Sequence, residues 1–283
     1  MDNFMYLTPI QQNILIASII GDGEITKIYP NSRRKNHSYR EHFGLDQQAY
    51  RKWKISFFDG LLYISEKSNC VRSASLPLFT TLYPHFYDKK GIKHIPIHLL
   101  RYCTLPYFLA VLYMDDGSLC ISTTVNARKK LIYLTPHIYL YLQCYPPKEL
   151  EQLQNHILKF FNVIFRLSKR KDGQGMILKT TSVKDTFLFL DLVSPITFDC
   201  PSMYYKTNWN ERLQMEKEKW KRQQPDFNIV VSSADRWKNY TDEEIQLIKK
   251  MKKNGATIQE IADALQRSYW SVMYKWREIN KRP

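Results

Sequence analysis

Two stretches, "ILIASIIGDGEI" at residues 14–25 and "LAVLYMDDGSLC" at residues 109–120, share one plan. Each is an apolar run that ends in a carboxylate and a glycine. These are Asp22-Gly23 in the first and Asp116-Gly117 in the second, 94 residues apart (116 − 22). Ile10, Ile14, Ala17 and Gly21 recur at helical spacing, so Ala17 and Gly21 form a flat patch on which a second backbone can lie. Val111 and Asp115 stand at the matching places of the second run, so two such helices pack asymmetrically. A carboxylate at a helix C-terminus faces the negative end of the dipole, at a cost of roughly 0.3–1 kcal/mol. Packing the two helices side by side adds repulsion between Asp22 and Asp116. A divalent cation between them would reverse the sign of that problem. A single Asp-Gly helix end is an ordinary turn, but two of them, each after a helix of similar length and before a strand, form a pattern.

The rest of the chain is organised around this repeat. Residues 1–100 and 101–210 read as two versions of one half-domain. The first is expected to hold strands at 24–29, 39–45 and 69–76 and a helix near 47–63. The second is expected to hold strands at 118–124, 130–143, 163–170 and 175–181, with helices near 147–161 and 183–190. Residues 211–236 read as a charged helical linker: "ERLQMEKEKWKRQQ" (211–224) is an exposed helix ended by Pro225, and an irregular tether follows. Residues 237–283 read as a Myb-like or resolvase-type helix-turn-helix. Thr241 with Glu244 and Thr257 with Glu260 are capping boxes, Gly255 closes the first helix, and Ser268 opens the third.

Composition narrows the function. The 283 residues are 44% hydrophobic, enough to bury a core, and carry a net charge of +15, which points to a polyanionic partner. No apolar run has the length of a spanning helix, and the N-terminus lacks a basic signal region. Five scattered cysteines without a CxxC argue against zinc and for a reducing, intracellular compartment, either a bacterial or phage cytoplasm or an organelle matrix.

"LIASIIGDG" (15–23) and "LAVLYMDDG" (109–117) resemble, without gaps, the nine-residue signature of the LAGLIDADG homing endonucleases. "KHIP" (93–96) and "MYYK" (203–206) extend the resemblance to the family's single-chain, two-motif branch. The resemblance covers roughly residues 8–210. It implies an α+β fold, a pseudo-two-fold pair of αββαββα half-domains with antiparallel saddle-shaped sheets, to which the small three-helix C-terminal domain is added. It implies Mg²⁺, with Mn²⁺ as substitute, held by Asp22 and Asp116, and Gly21 and Asp115 are set beside them in the metal group. Lys93 and Lys206 match lysines that sit near the scissile phosphates, so Asp22, Asp116, Lys93 and Lys206 are the expected catalytic set. Helical geometry turns Asp115 about 100° from Asp116, and a solvated or capping role is the alternative for it. "LQCYPP" (142–147) keeps Gln143 and Tyr145 of the branch's polar stretch before a long helix.

Double-stranded DNA is the expected partner, bound by a monomer, with host intron RNA as a second candidate. In the first half Lys27, Arg33, Arg34, Lys35, Arg40 and Arg72 are candidate contacts. In the second they are Gln143, Arg166, Lys169, Arg170 and Lys179, and in the C-terminal module Arg267, Ser268, Ser271, Lys275 and Arg277. Arginine on an exposed strand suits bidentate contact with guanine, while loop lysines mostly reach phosphates. The leading expectation is a site-specific, Mg²⁺-dependent double-strand DNA endonuclease of homing type on a long asymmetric target. The alternatives are an intron RNA maturase and a non-cutting DNA-binding regulator. Two aspartates at the acidic positions favour the nuclease.

Overall fold

In the computed structural model, residues 2–170, 172–232 and 240–281 are described. After a short helix α1 (Asp2–Met5), the first half runs α2 (Pro9–Ile20), β1 (Glu24–Ile25), β2 (Tyr39–His42), α3 (Gln48–Ile55), β3 (Leu62–Ser65), β4 (Cys70–Ser73) and α4 (Pro77–Phe86). The second repeats that order as α5 (Pro106–Asp116), β5 (Gly117–Asn126), β6 (Leu131–Leu140), α6 (Pro147–Phe161), β7 (Phe165–Lys169), β8 (Met176–Thr180) and α7 (Val183–Phe198). The sheets share one antiparallel topology, β1-β2-β4-β3 and β5-β6-β8-β7. The fold is thus the α+β pair of αββαββα halves that the sequence implies.

The two signature helices lie at its centre. Thr8 and Gln11 cap α2 reciprocally, with Pro9 in the first turn. α2 packs on α5, and α5 packs also on α7. Residues 12–20 and 108–114 are accordingly buried on every side. A helix with no polar face is what burial between partners requires. Asn13 stitches the pair: its amide donates to Tyr102 O (2.9 Å), and its oxygen accepts from Leu105 N (3.0 Å) at the start of α5. A single apolar core, from Phe4 to Met203, runs through both halves.

Three local expectations change. The helix expected over 47–63 stops at Ile55, because Asp59 and Gly60 turn the chain at φ 40° and 83° and free Leu62–Ser65 to become β3. Helix α4, which the αββαββα pattern requires, had no expected place along the first half. Leu78, Phe79, Leu82 and Phe86 form its buried face. The tether after Pro225 is not wholly irregular: β9 (Asn228–Val231), following the charged helix α8 (Trp209–Gln223), pairs in parallel with β6.

The C-terminal helices α9 (Asp242–Lys253), α10 (Ile258–Ala264) and α11 (Tyr269–Lys281) enclose a small core of Ile248, Ile261, Ala262 and Val272. Both capping boxes form as expected. Among the described residues no helix is long and apolar enough to cross a membrane.

Candidate active site and nucleic-acid face

The C-terminal ends of α2 and α5 meet. A Cβ on Gly21 would lie 2.7 Å from Asp115 Oδ2 and 2.9 Å from Asp115 Cβ, so only glycine lets the second helix this close. Gly117 is tight for a local reason, since a Cβ there would strike the Tyr113 ring and its carbonyl.

Each helix end carries its own lysine. Lys93 Nζ donates to Ile20 O (3.4 Å), Gly21 O (3.0 Å) and Gly23 O (2.8 Å). Lys206 Nζ donates to Tyr113 O (3.3 Å), Met114 O (2.5 Å) and Gly117 O (3.2 Å). An ammonium on the last carbonyls of a helix offsets the dipole that the carboxylates oppose. Burial lowers the pKa of both lysines, against the pull of the neighbouring acids. The segment holding Lys93 is fixed by Glu149 of α6, which accepts from His94 Nδ1 (2.6 Å) and Ile95 N (2.8 Å). Tyr113 Oη, donating to Lys206 O (2.6 Å), does the same for Lys206.

The two aspartates differ sharply in their surroundings. Asp22 ion-pairs with Arg51 Nη2 at 2.6 Å. Asp116 has no ion pair among the described residues, and it lies near Asp115, Asp22, Lys93 and Lys206. Burial, with the charges of Asp115 and Asp22 added, pushes its carboxyl up to about 7, and the two lysines hold it back from rising further.

Asp115 turns away from Asp116, as helical geometry requires, but it is neither solvated nor a cap. Its side chain is fully buried in the first half, where it accepts from Tyr50 Oη (2.8 Å), Arg51 Nη1 (3.0 Å) and Lys54 Nζ (3.0 Å). Burial alone would raise its pKa, but Lys54 and Arg51 outweigh that and hold it below the usual carboxylate range. Glu41, on the inward face of β2, completes the network with Arg51 Nη1 at 2.7 Å and Lys54 Nζ at 2.8 Å, and Tyr39 Oη also donates to it. The sequence reading missed Glu41, Tyr50, Arg51 and Lys54. Two signals were available: a glutamate in phase with Tyr39 on an alternating strand, and Arg51 and Lys54 three apart on one helix face.

Carboxylate oxygens of Asp22, Glu41 and Asp115 lie within 4.8 Å of one another. Arg51 and Lys54 already offset most of that group's charge, two cations against three carboxylates. The donor set fits a hard, oxygen-seeking cation best on the Asp22–Asp116 side, where Asp116 has no ion pair among the described residues and its neighbours Asp115 and Asp22 oppose its ionisation. Gly21 stands between these groups with its carbonyl given to Lys93.

The candidate DNA contacts sort by strand register. One row crosses the first sheet as Glu24, Arg40, Arg72 and Tyr63, and the equivalent row crosses the second as Ser118, Tyr139, Lys179 and Arg166. Both rows begin two residues after an aspartate of the pair. Arg40 pairs with Glu24, and Lys179 lies over the Tyr139 ring at 5.1 Å. Lys27, Arg33, Arg34 and Lys35 are exposed on the 27–38 loop, where Arg34 braces Thr26, Lys27 and Ser38. With Arg40 and Arg72, Lys27 and Arg34 line an open groove of about 610 Å³. Gln143, with its amide oriented to donate to Tyr141 O, accepts from Arg170 Nη1 at 3.0 Å, and Arg170 also pairs with Asp172. Lys169 lies on the opposite face of β7 from Arg166.

In the C-terminal module the expected contacts are not all presented outward. Arg267 is nearly buried, pairs with Glu244 at 2.7 Å and stacks over Tyr240. Ser271 is buried against the Tyr240 hydroxyl, and Ser268 caps α11. Lys275 pairs with Glu278, while Arg277 is exposed.

The sequence profile of the LAGLIDADG DNA endonuclease family matches residues 12–187. No match was found among curated proteins. Among solved structures, the homing endonuclease I-WcaI bound to its DNA recognition sequence is similar at 24% identity, over 71% of this chain and 87% of that one, with a TM-score of 0.54. That likeness shows the fold. Meganuclease I-SmaMI bound to uncleaveable DNA is more distant, at 11% identity over 77% of this chain and 95% of that one, with a TM-score of 0.47.

Proposed function

The chain belongs to the LAGLIDADG DNA endonuclease family, and we propose that it is a homing endonuclease acting as a monomer. In this reading it hydrolyses one phosphodiester in each strand of a long asymmetric DNA target. The observation that carries the reading is the doubled helix end. Two packed helices each deliver an aspartate, and each is topped by a lysine held on three of its carbonyls.

Asp22 and Asp116 would hold Mg²⁺, with Mn²⁺ as substitute. The cation would supply charge to the phosphate oxygens and a lowered pKa to a bound water. The chain's own residues do the rest. Lys93 and Lys206 bring two ammonium groups to the floor of the site, where they attract the scissile phosphates and offset charge that builds on them. Gly21 keeps the helix ends close enough for one site to serve both strands. The rows through Arg40–Arg72 and Lys179–Arg166 leave the site in opposite halves and would read flanking base pairs in the major groove.

A second reading, a DNA-binding regulator on the same scaffold, is favoured by one observation: Arg51 already gives Asp22 a cation. Incubating the protein with a genomic or randomised duplex library in Mg²⁺ and sequencing the cut ends separates the two. Recurrent ends that vanish in Asp22→Asn and Asp116→Asn, while gel-shift binding persists, support the nuclease. Binding without cutting by the wild type, in Mn²⁺ as well, would leave the regulator.

A further inference from the structure

The C-terminal module is fastened to the second half. β9 runs parallel to Leu131–Leu134 of β6 and is pinned at both ends, Asn228 N donating to Lys130 O and Ser232 N to Leu134 O, both at 2.9 Å. The Ser232 and Thr135 hydroxyls meet at 2.9 Å. Helix α11 then leans on the same strand. The Trp270 ring stacks on Tyr133 with centroids 4.8 Å apart and planes at 29°, and Tyr269 meets Tyr133 edge-on at 6.2 Å.

The register of β6 says which face this is. Side chains alternate along a strand, so Tyr133 shares a face with Tyr139, whose row holds Lys179 and Arg166. The opposite face carries Ile132, Leu134, Ile138 and Leu140, all buried. α11 therefore sits on the second sheet's charged face, not behind it. Tyr133 pairs with Thr124, seven residues along β5 from Gly117. At about 3.4 Å per residue that is roughly 24 Å from the aspartate, or about 7 base pairs of duplex. At this outer end stand Arg128, Lys129 and Lys130 of the hairpin turn, all exposed, and Arg277 is exposed further along α11. In the first half the strand that leaves the aspartate, β1, has only two residues.

We propose that the docked module takes over the outer end of the second half-site: α11 covers the sheet at Tyr133 and presents duplex DNA with a new surface, so contact extends further on the second half's side than on the first. This rests on the reading of the chain as a DNA-binding protein. A helix of 13 residues spans about 20 Å, so the added contact reaches up to about 6 base pairs.

The test uses the full chain on duplexes it recovers from a randomised pool in Ca²⁺, mapped by hydroxyl-radical footprinting. Arg166→Ala marks the second half's side of the footprint and Arg72→Ala the first. The wild type should protect about 5 base pairs more on the Arg166 side. Tyr133→Ala, which lies outside the module, and Trp270→Ala should each remove that extra protection and lower affinity about ten-fold, leaving the first-half side protected. Small-angle scattering of the DNA-free proteins reports separately whether the module has been released. Equal arms in the wild type would overturn the proposal, as would an unchanged footprint in variants whose module is released. Tighter binding by the variants would make the module a lid and overturn it too. If scattering shows the module docked and no duplex is protected anywhere, the DNA-binding reading itself fails.

Discussion

Consider Asp116→Asn in protein stripped of divalent cations. The Asp116 carboxyl is raised from the ordinary 3.8 to about 7, first by burial and then by Asp115 and Asp22. Its folded-state pKa exceeds its unfolded one, so the folded state holds the proton more tightly. The contribution of this group to stability is greatest in acid and is lost as pH climbs from about 4 to about 7. The full shift corresponds to about 4 kcal/mol at alkaline pH, with roughly 2.5 kcal/mol of it lost between pH 5 and pH 8. Asparagine keeps the shape and cannot ionise. The variant should therefore be more stable than the wild type at pH 8 and close to it near pH 4. Urea unfolding of both proteins in EDTA at several pH values measures the difference, and other titrating groups cancel between them. A difference that stays flat between pH 5 and pH 8, or a variant weaker than the wild type at pH 8, would refute the placement of Asp116 as a buried, uncompensated acid. The same variant should cut no DNA, so stability and activity move in opposite directions.

Arg51→Met removes the cation shared by Asp22, Glu41 and Asp115, and breaking a buried pair from one side costs about 3–5 kcal/mol, readable as a lower denaturation midpoint. Gly21→Ala should destabilise by about 1–3 kcal/mol in calorimetry, because the new methyl meets Asp115 Cβ, which cannot swing aside as its carboxylate could. Lys93→Met and Lys206→Met should each lower cutting on the order of 100-fold. On a duplex labelled separately in its two strands, one variant should slow one strand more and the other variant the other; equal slowing of both strands by each would deny the lysines a half-site apiece.

The parts of the fold that were legible are those that sequence repeats locally. A buried helix with no polar face, an Asp-Gly stop and a following strand can each be read within a dozen residues. So can the capping boxes at Thr241 and Thr257. The charged network could not be read in that way. Asp115 meets Tyr50, Arg51 and Lys54 across more than sixty residues of chain, and no local period records a contact made between halves. A helix with arginine and lysine ordinarily shows them to water, which is why the spacing of Arg51 and Lys54 on one face of α3 was not read as two fully buried cations. β9 was missed for a related reason. "NIVV" is four residues long, and strands this short are defined by the edge they join more than by their own pattern.

That network explains why the second signature departs from the first. Where the first copy has Gly21, the second has Asp115, a residue too large and too polar for a helix crossing unless it is given somewhere to go. The structure gives it the interior of the first half, with Arg51 and Lys54 waiting and Glu41 balancing the second cation. No such arrangement can be made twice, because Gly21 must remain small for Asp115 to pass it. The two halves therefore cannot be exchanged. One consequence reaches the site itself: Arg51, drawn in by Asp115 and Glu41, also pairs with Asp22, while Asp116 has only the more distant Lys93 and Lys206 against the charges of Asp115 and Asp22. A pseudo-two-fold fold thus ends in two carboxylates of unlike character, one ion-paired to the protein's own arginine and one with no ion pair among the described residues.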